Sequence, residues 1–392
     1  MRVLIAHNKY RLKGGEDVAV DAETRLLSDQ GHEIRHLIVS NDDLDWSQAI
    51  AVAWRAAYSN AGRQRMASEL EAFRPDIVHI HNFFPILTPA IYDACWDAGI
   101  PVVQTLHNYR LLCPKATMFR GKRPCELCLH GSPYQAVLHA CYRDSRLQSL
   151  VPARMVAVNR RRGTWTRRVT RFITLTEFAR RKFIEGGFPA DRIDIKSNYA
   201  MPETTFEVEA SGTCRGALFV GRLSAEKGVQ PLVDAWRGLT VPLRIVGDGP
   251  MAPLVRQLGN SNVELAGTMP TADVYREMNL SQFLVVPSLA YEGFPIVLAE
   301  AFACGLPAIV SRHGSLEEII EDGVTGLHAE PNDADDLAAK IQWAHDHPAE
   351  MRQMGINARK AYERNYTPEV NYSKLIEIYT KATAATPTRT RE

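Results

Sequence analysis

The chain has 392 residues, 45% of them hydrophobic, which is more than one hydrophobic core usually organises, so two domains are expected. Lys plus Arg (46) nearly balances Asp plus Glu (45), which leaves no global charge to argue for nucleic acid or an acidic partner and makes any electrostatic function local. The apolar run at the start is too short for a signal peptide and no later stretch approaches ~18 uninterrupted apolar residues, so the expectation is a cytoplasmic chain whose membrane contacts are peripheral.

The first half alternates apolar, strand-like runs with amphipathic ones. Residues 2–8, 33–40, 76–82 and 101–108 read as strands, and 16–30 as a helix. The run 171–176, the helical 177–186 and the strand-like 192–197 close this half. Such alternation implies a parallel sheet with helices on both faces. Residues 199–214, with Pro202, Ser211 and Gly212 and no periodicity, read as a linker. The second half repeats the pattern, with strands at 217–223, 243–247, 263–267, 283–288, 308–311 and 326–330. Asp333 is placed to cap a helix running through Leu337 to Ala344, and Pro295 to open one that stops at Gly305. After Pro368 a last helical pattern carries Tyr372, Leu375, Ile376 and Tyr379 along one side.

The division that follows is a Rossmann-like domain at 1–198 with a cysteine-containing insertion at about 109–150, a linker at 199–214, a second Rossmann-like domain at 215–368, and a helix at 369–385 packing back on the first domain. The tail 386–392 is expected to be disordered. The fold class is α/β, two doubly wound units, with a ligand cleft expected at the carboxyl ends of both sheets, between the domains.

The chemistry concentrates at Glu292-Gly293-Phe294-Pro295, which leads into a helix carrying Glu300. If that helix starts near Gly293, Glu300 lies two turns on and returns to the same face. The two carboxylates are then roughly 12 Å apart, the distance from a donor hexose to the ribose of its nucleotide. The free amides of Gly293 and Phe294 can face an anion or sugar hydroxyls. The alternative is two solvated ends of an ordinary amphipathic helix, but Glu300 lies inside an apolar run, where a carboxylate is costly unless hydrogen-bonded. Upstream, Gly221-Arg222-Leu223-Ser224-Ala225-Glu226-Lys227-Gly228 puts Arg222 at a strand end and Lys227 at a helix start. Two fixed cations and helix-terminal amides can stabilise a departing diphosphate without a metal. A surface loop with a charge cluster is the bland reading of the same residues.

Taken together, Gly-Arg-Leu-x-x-Glu-Lys-Gly, Val-Gly-Asp-Gly-Pro at 246–250, Gly267, and Glu-Gly-Phe-Pro with a second Glu eight residues on resemble the retaining glycosyltransferases of family four, which have the GT-B fold. The match spans nearly the whole chain, and the motifs occur in family order. The resemblance implies a fold of two Rossmann-like domains facing each other across a cleft. It also implies that Arg222 and Lys227 hold a diphosphate, Glu300 the ribose hydroxyls, and Glu292 with the amides of Gly293 and Phe294 the donor sugar. The base would lie near Gly267, Thr268 and Met269. Gly14-Gly15-Glu16 resembles the family's glycine loop touching the donor phosphate, although tight turns use such pairs routinely. His107, in Thr105-Leu106-His107-Asn108, matches a histidine contacting the donor sugar.

Two departures bear on the sugar rather than on the reaction class. Arg312-His313-Gly314-Ser315-Leu316-Glu317-Glu318 lacks the usual glycine pair before a Glu, and Lys196-Ser197-Asn198-Tyr199 lacks the usual Pro and Gly around its Asn. The implied activity is transfer of a hexosyl group from a UDP- or GDP-hexose to a saccharide or lipid-linked saccharide in bacterial polysaccharide biosynthesis. The acceptor would attack from the face the diphosphate leaves, and the leaving phosphate would serve as base. No side chain is an evident nucleophile, so no covalent intermediate is expected.

Asp43-Leu44-Asp45 and Asp333-Ala334-Asp335 spell a two-aspartate pattern that other glycosyltransferases use for Mn²⁺ or Mg²⁺, but Asp333 is better explained as a cap. No cofactor is therefore expected for catalysis. Of seven cysteines, Cys113, Cys125, Cys128 and Cys141 cluster, too few for a disulfide-stapled secreted scaffold. Four thiolates could close a structural zinc site, and buried free thiols are the alternative. Leu-His-Asn-Tyr-Arg-Leu-Leu-Cys-Pro followed by Pro-Cys-x-x-Cys resembles a subgroup associated with bacterial surface polysaccharides. Eight arginines between residues 154 and 182, around Trp165 and against the single acid Glu177, suit an anionic membrane or a lipid-diphosphate acceptor, or else an ordinary solvated surface.

Rival readings are weaker. A glucan phosphorylase would need a longer chain and a pyridoxal-phosphate lysine, and an epimerase on the same fold lacks the two-Glu arrangement. A dinucleotide dehydrogenase would need a Gly-x-Gly-x-x-Gly loop after the first strand. A non-catalytic nucleotide-sugar-binding protein would have no reason to keep His107, Arg222, Lys227, Glu292 and Glu300 together.

Overall fold

The computed structural model describes residues 1–10, 14–41, 54–202 and 215–385. The chain separates into two compact units. The first comprises Met1–Met118, Cys125–Lys196 and the chain from Asn371 onward; the second comprises Phe119–Pro124 and Ser197–Val370.

In the first unit, strands β1 (Arg2–Lys9), β2 (Glu33–Ser40), β3 (Ile77–Asn82), β4 (Val102–Thr105), β7 (Arg171–Thr174) and β8 (Ile193–Ile195) form one parallel sheet in the order β2-β1-β3-β4-β7-β8. Strand β3 is buried along its whole length and β1 along all but its ends, as expected of strands covered on both faces. Helix Gly15–Asp29 provides the first crossover, and Asn60–Phe73 and Ala90–Ala98 follow β2 and β3. The final helix, Pro368–Ala384, sets Leu375, Ile378, Tyr379 and Ala382 into a core with Val3, Ile5, Val103 and Ile173. The 3-1-3 spacing of those four residues, with Leu375 and Tyr379 four apart, puts them on one helix face.

The second unit holds β9 (Ala217–Val220), β10 (Leu243–Val246), β11 (Val263–Gly267), β12 (Phe283–Val286), β13 (Ala308–Ser311) and β14 (Gly326–Ala329), parallel, in the order β11-β10-β9-β12-β13-β14. Its core includes the fully buried Trp236, Phe283, Val285, Ile309 and Ile341. Within the stretch 109–150, the small antiparallel pair β5 (Phe119–Arg120) and β6 (Arg123–Pro124) groups with this unit, where Phe119 packs with Leu289 and Ala290.

Asp333 caps Ala334–Asp346 by accepting from the amides of Asp335 and Asp336. Two local expectations need correction. The helix bearing Glu300 runs Ile296–Ala303, with Pro295 as its N-cap, so it starts three residues later than Gly293. Lys227 closes a short 3₁₀ turn, Ala225–Lys227, and Gly228 then separates it from the helix Val229–Trp236.

Candidate functional site

In the second unit, four loops at the carboxyl edge of the sheet are bound into one cluster. The amide of Gly221 donates to the Val246 carbonyl (3.0 Å), that of Leu223 to Asp248 (2.9 Å), and that of Gly247 to Gly267 (2.7 Å). The amides of Leu289 (2.8 Å) and Ala290 (3.2 Å) both donate to the Glu226 carbonyl. Two glycines make this possible. Gly228 has φ +72°, and a Cβ there would sit 1.8 Å from the Pro287 carbonyl oxygen; Gly247 has φ +140°, and its Cβ would sit 1.9 Å from that of Gly221. The Gly-Arg-Leu, Gly-Asp-Gly and Glu-Gly-Phe segments thus meet because their glycines allow backbones to touch.

Lys227 Nζ donates to Glu292 Oε1 at 2.8 Å, and Ser288 Oγ donates to the same oxygen at 2.7 Å. The two residues assigned from sequence to separate parts of a donor are therefore paired with each other. His313 Nε2 approaches the Ser288 carbonyl (2.7 Å), and its ring lies 5.8 Å from that of Tyr291. Arg222 is exposed two residues past β9. Gly267 ends β11 with φ +74°, followed by the exposed Thr268 and the half-buried Met269. Because the helix begins at Ile296, the amides of Gly293 and Phe294 belong to the loop before it rather than to its first turn. Asn198 Nδ2 donates to the Phe294 carbonyl at 3.2 Å, and the Phe294 ring rests on Tyr366. Glu300 is half-buried on the helix, and burial alone pushes its carboxyl up to about 7.

The first unit brings its candidates to the corresponding edge of its own sheet. Gly14 is the N-cap of helix Gly15–Asp29, and its amide donates to Asp17 Oδ2 at 2.9 Å, while Asp17 Oδ1 meets His7 Nε2 at 2.9 Å. Asn108 Nδ2 donates to Glu16 Oε2 at 3.2 Å. Burial pushes Glu16 up to about 8 against the opposing charge of Arg110. His107, two residues past β4, is in hydrogen-bond contact with His81 (Nε2 to Nδ1, 2.9 Å), and burial pushes it down to about 3, which keeps the imidazole neutral.

His81 and Ser288 escaped the sequence reading, and His313 entered it only within a segment that departs from the family pattern. For His81 a signal existed: Ile-Val-His-Ile-His-Asn alternates imidazoles along an otherwise apolar strand, which puts both rings on one face.

Among the described residues, the sets whose ligand atoms lie within 4.8 Å of one another are Glu23–His79–His81 and Glu126–His130–Glu185. In a tetrahedral zinc site with Zn–S about 2.3 Å, the sulfurs would be about 3.8 Å apart. Cys113, Cys125, Cys128 and Cys141 make no such set. Cys128 is a buried thiol, 3.8 Å from the Pro133 carbonyl, pushed up to about 12 by burial and by the nearby Cys113, Cys141 and Cys125. Asp43 and Asp45 lie outside the described residues. The arginine-rich stretch is more neutralised than its sequence suggests: Arg162 and Arg168 pair with Asp93, Arg171 with Asp194 and Arg180 with Glu177.

Two tandem doubly wound units with these edge loops define a GT-B fold. A crystal structure of Alr3699/HepE from Anabaena, in complex with UDP, matches with a TM-score of 0.68 at 18% identity, covering 97% of this chain and 100% of that one. The description "Glycosyltransferase Family 4" matches residues 13–198, and "Glycosyl transferases group 1" matches residues 202–361. The chain belongs to the family-four glycosyltransferases. Its relatives include an uncharacterised glycosyltransferase of Methanocaldococcus jannaschii, 35% identical over 166 residues (41% of this chain, 47% of the relative), and the amylovoran biosynthesis glycosyltransferase AmsK of Erwinia amylovora, 29% identical over 215 residues (50% and 53%). The chain spans about half the length of these two relatives.

Proposed function

We propose that the chain transfers a hexosyl group, with retention, from a UDP- or GDP-hexose to a saccharide or lipid-linked saccharide in bacterial polysaccharide assembly, without a metal. The observation that carries this reading is the interlocked loop cluster of the second unit, which sets Lys227 against Glu292 beside Ser288. An incoming diphosphate offers Lys227 two negative charges and frees Glu292 to accept from sugar hydroxyls, so one ligand satisfies both partners. The AmsK relative, named for amylovoran biosynthesis, and the likeness to a structure holding UDP support the donor and the setting.

In this mechanism the anomeric C–O bond to the diphosphate breaks first, and Arg222 and Lys227 stabilise the charge left on the phosphate oxygens. The acceptor oxygen bonds to the anomeric carbon from the same face, and its proton passes to the departing phosphate. Arg222→Ala and Lys227→Ala should each lower kcat by ~10²-fold or more, as removal of transition-state charge stabilisation does. The assay is transfer from UDP- or GDP-hexoses, with the product's anomeric configuration read by NMR and the rate repeated in chelator. Wild-type turnover in both variants, an inverted product or chelator-sensitive transfer would each defeat the corresponding part of the reading.

No described helix is long and apolar enough to cross a membrane. We extend the proposal to peripheral contact with an anionic surface, supported by Leu147 (82% exposed) on the arginine-rich helix Arg146–Arg162 and Leu138 (65% exposed) on the short helix before it. Cosedimentation with anionic vesicles that weakens as salt rises is the expected result, and no binding at low salt removes this extension.

A further inference from the structure

The first unit buries a polar network that the transfer mechanism leaves without a task. Glu23, His79, His81, Lys196, Asn371 and Tyr379 are each at most 4% exposed. Lys196 Nζ donates to Glu23 Oε2 (2.9 Å) and to Asn371 Oδ1 (3.1 Å). His79 Nδ1 lies 3.0 Å from Glu23 Oε1 and 2.7 Å from Tyr379 Oη, and its Nε2 lies 2.7 Å from Thr105 Oγ1. His81 continues the chain outward: its Nε2 lies 3.8 Å from Glu23 Oε1, and its Nδ1 lies 2.9 Å from His107 Nε2. The His81 and His107 rings stack at 5.2 Å.

Glu23, His79 and His81 satisfy the distances of a metal site, but the Lys196 ammonium already neutralises Glu23, so a divalent ion would meet a fixed positive charge. The network does something else. Burial would raise the Glu23 carboxyl, but Lys196 and His79 hold it well below the usual range, so it is a carboxylate, able only to accept. One buried atom here, His81 Nε2, lacks a hydrogen-bond partner, and it faces Glu23 Oε1, which already has His79 Nδ1 at 3.0 Å. A carboxylate opposite a neutral imidazole draws that ring's single proton to the near nitrogen. His81 Nδ1 is then a lone pair, and the 2.9 Å contact requires His107 Nε2 to donate.

We propose that Glu23, through His81, fixes His107 as the Nε2–H tautomer, so that His107 Nδ1 is an obligate hydrogen-bond acceptor for a substrate hydroxyl. Glu23 and His81 are positioning residues, and the proposal rests on the reading of His107 as a residue that faces the sugar. Among the described residues His107's hydrogen bond is the one to His81, which leaves Nδ1 for a ligand. A sugar carrying a hydroxyl at this point is accepted, and one carrying a methoxy group or hydrogen there is refused.

The test is the imidazole ¹⁵N spectrum of histidine-labelled protein. In the wild type, His81 and His107 should both show Nε2–H with unprotonated Nδ1. The double variant Glu23→Met with Lys196→Met exchanges a buried ion pair for apolar chains of similar size. It should show mixed His107 tautomers and about tenfold weaker discrimination between a hexose donor and its deoxy analogue. A folded double variant with His107 still wholly Nε2–H overturns the relay. If the double variant does not fold, the wild-type spectrum decides alone: His107 as Nδ1–H or as imidazolium also overturns it. His107→Ala is read separately by transfer rate, and unchanged turnover there defeats the sugar-facing role while the tautomer measurement still judges the relay.

Discussion

Glu300 sits on an otherwise apolar helix face, and its carboxyl is raised to about 7 with burial as the cause. If it receives two ribose hydroxyls, those hydrogen bonds favour its ionised form and lower its pKa on binding. The complex then holds fewer protons than the free protein, so nucleotide affinity should rise with pH from about 5 to about 7 and level off above. Calorimetry in buffers of different ionisation enthalpy should detect proton release near pH 6–7, and Glu300→Gln should abolish both the release and the pH slope. An affinity that falls with rising pH would place the ribose elsewhere. The Lys227–Glu292 pair is a different case, because its members already satisfy each other and a ligand must exchange into that contact.

At the level of elements, the helix Pro368–Ala384 supplies Leu375, Ile378, Tyr379 and Ala382 to the core of the first unit. Leu375 is fully buried, so Leu375→Ala should cost about 2–5 kcal/mol. Hydrogen exchange should show the loss in amides of β1, β3 and β4, with protection unchanged in β9 to β13. Equal loss in both sets would contradict the assignment of this helix. The strands themselves were legible as apolar-rich runs closed by polar or glycine residues, and β2, β11 and β13 begin and end where the pattern places them. The start of the Glu300 helix was not legible: Gly293 and Pro295 both mark an entry, and only the backbone shows that Pro295 is the cap.

Across the molecule, what the sequence revealed was local in the chain and what it concealed was distant. The Gly-Arg-Leu and Glu-Gly-Phe motifs state their chemistry within a few residues. The charge balance of the arginine-rich stretch does not, because Asp93 lies 69 positions from Arg162. Nor does the network around Glu23, whose partner Lys196 is 173 positions away and whose neighbour His79 meets Tyr379 across 300. Such pairs leave no spacing to read. The Glu23 network becomes visible only when the sheet brings helix Gly15–Asp29, β3, the end of β8 and the last helix together.

The contribution of Asn371 and Tyr379 also fixes an order of events during synthesis. The ribosome completes β1 to β8 early, yet the segment that ties down Lys196 and His79 emerges only after every strand of the second unit. The nascent first unit must therefore wait with an open seam, and a polypeptide interrupted before residue 371 would carry a complete second sheet and a histidine cluster that had never been locked.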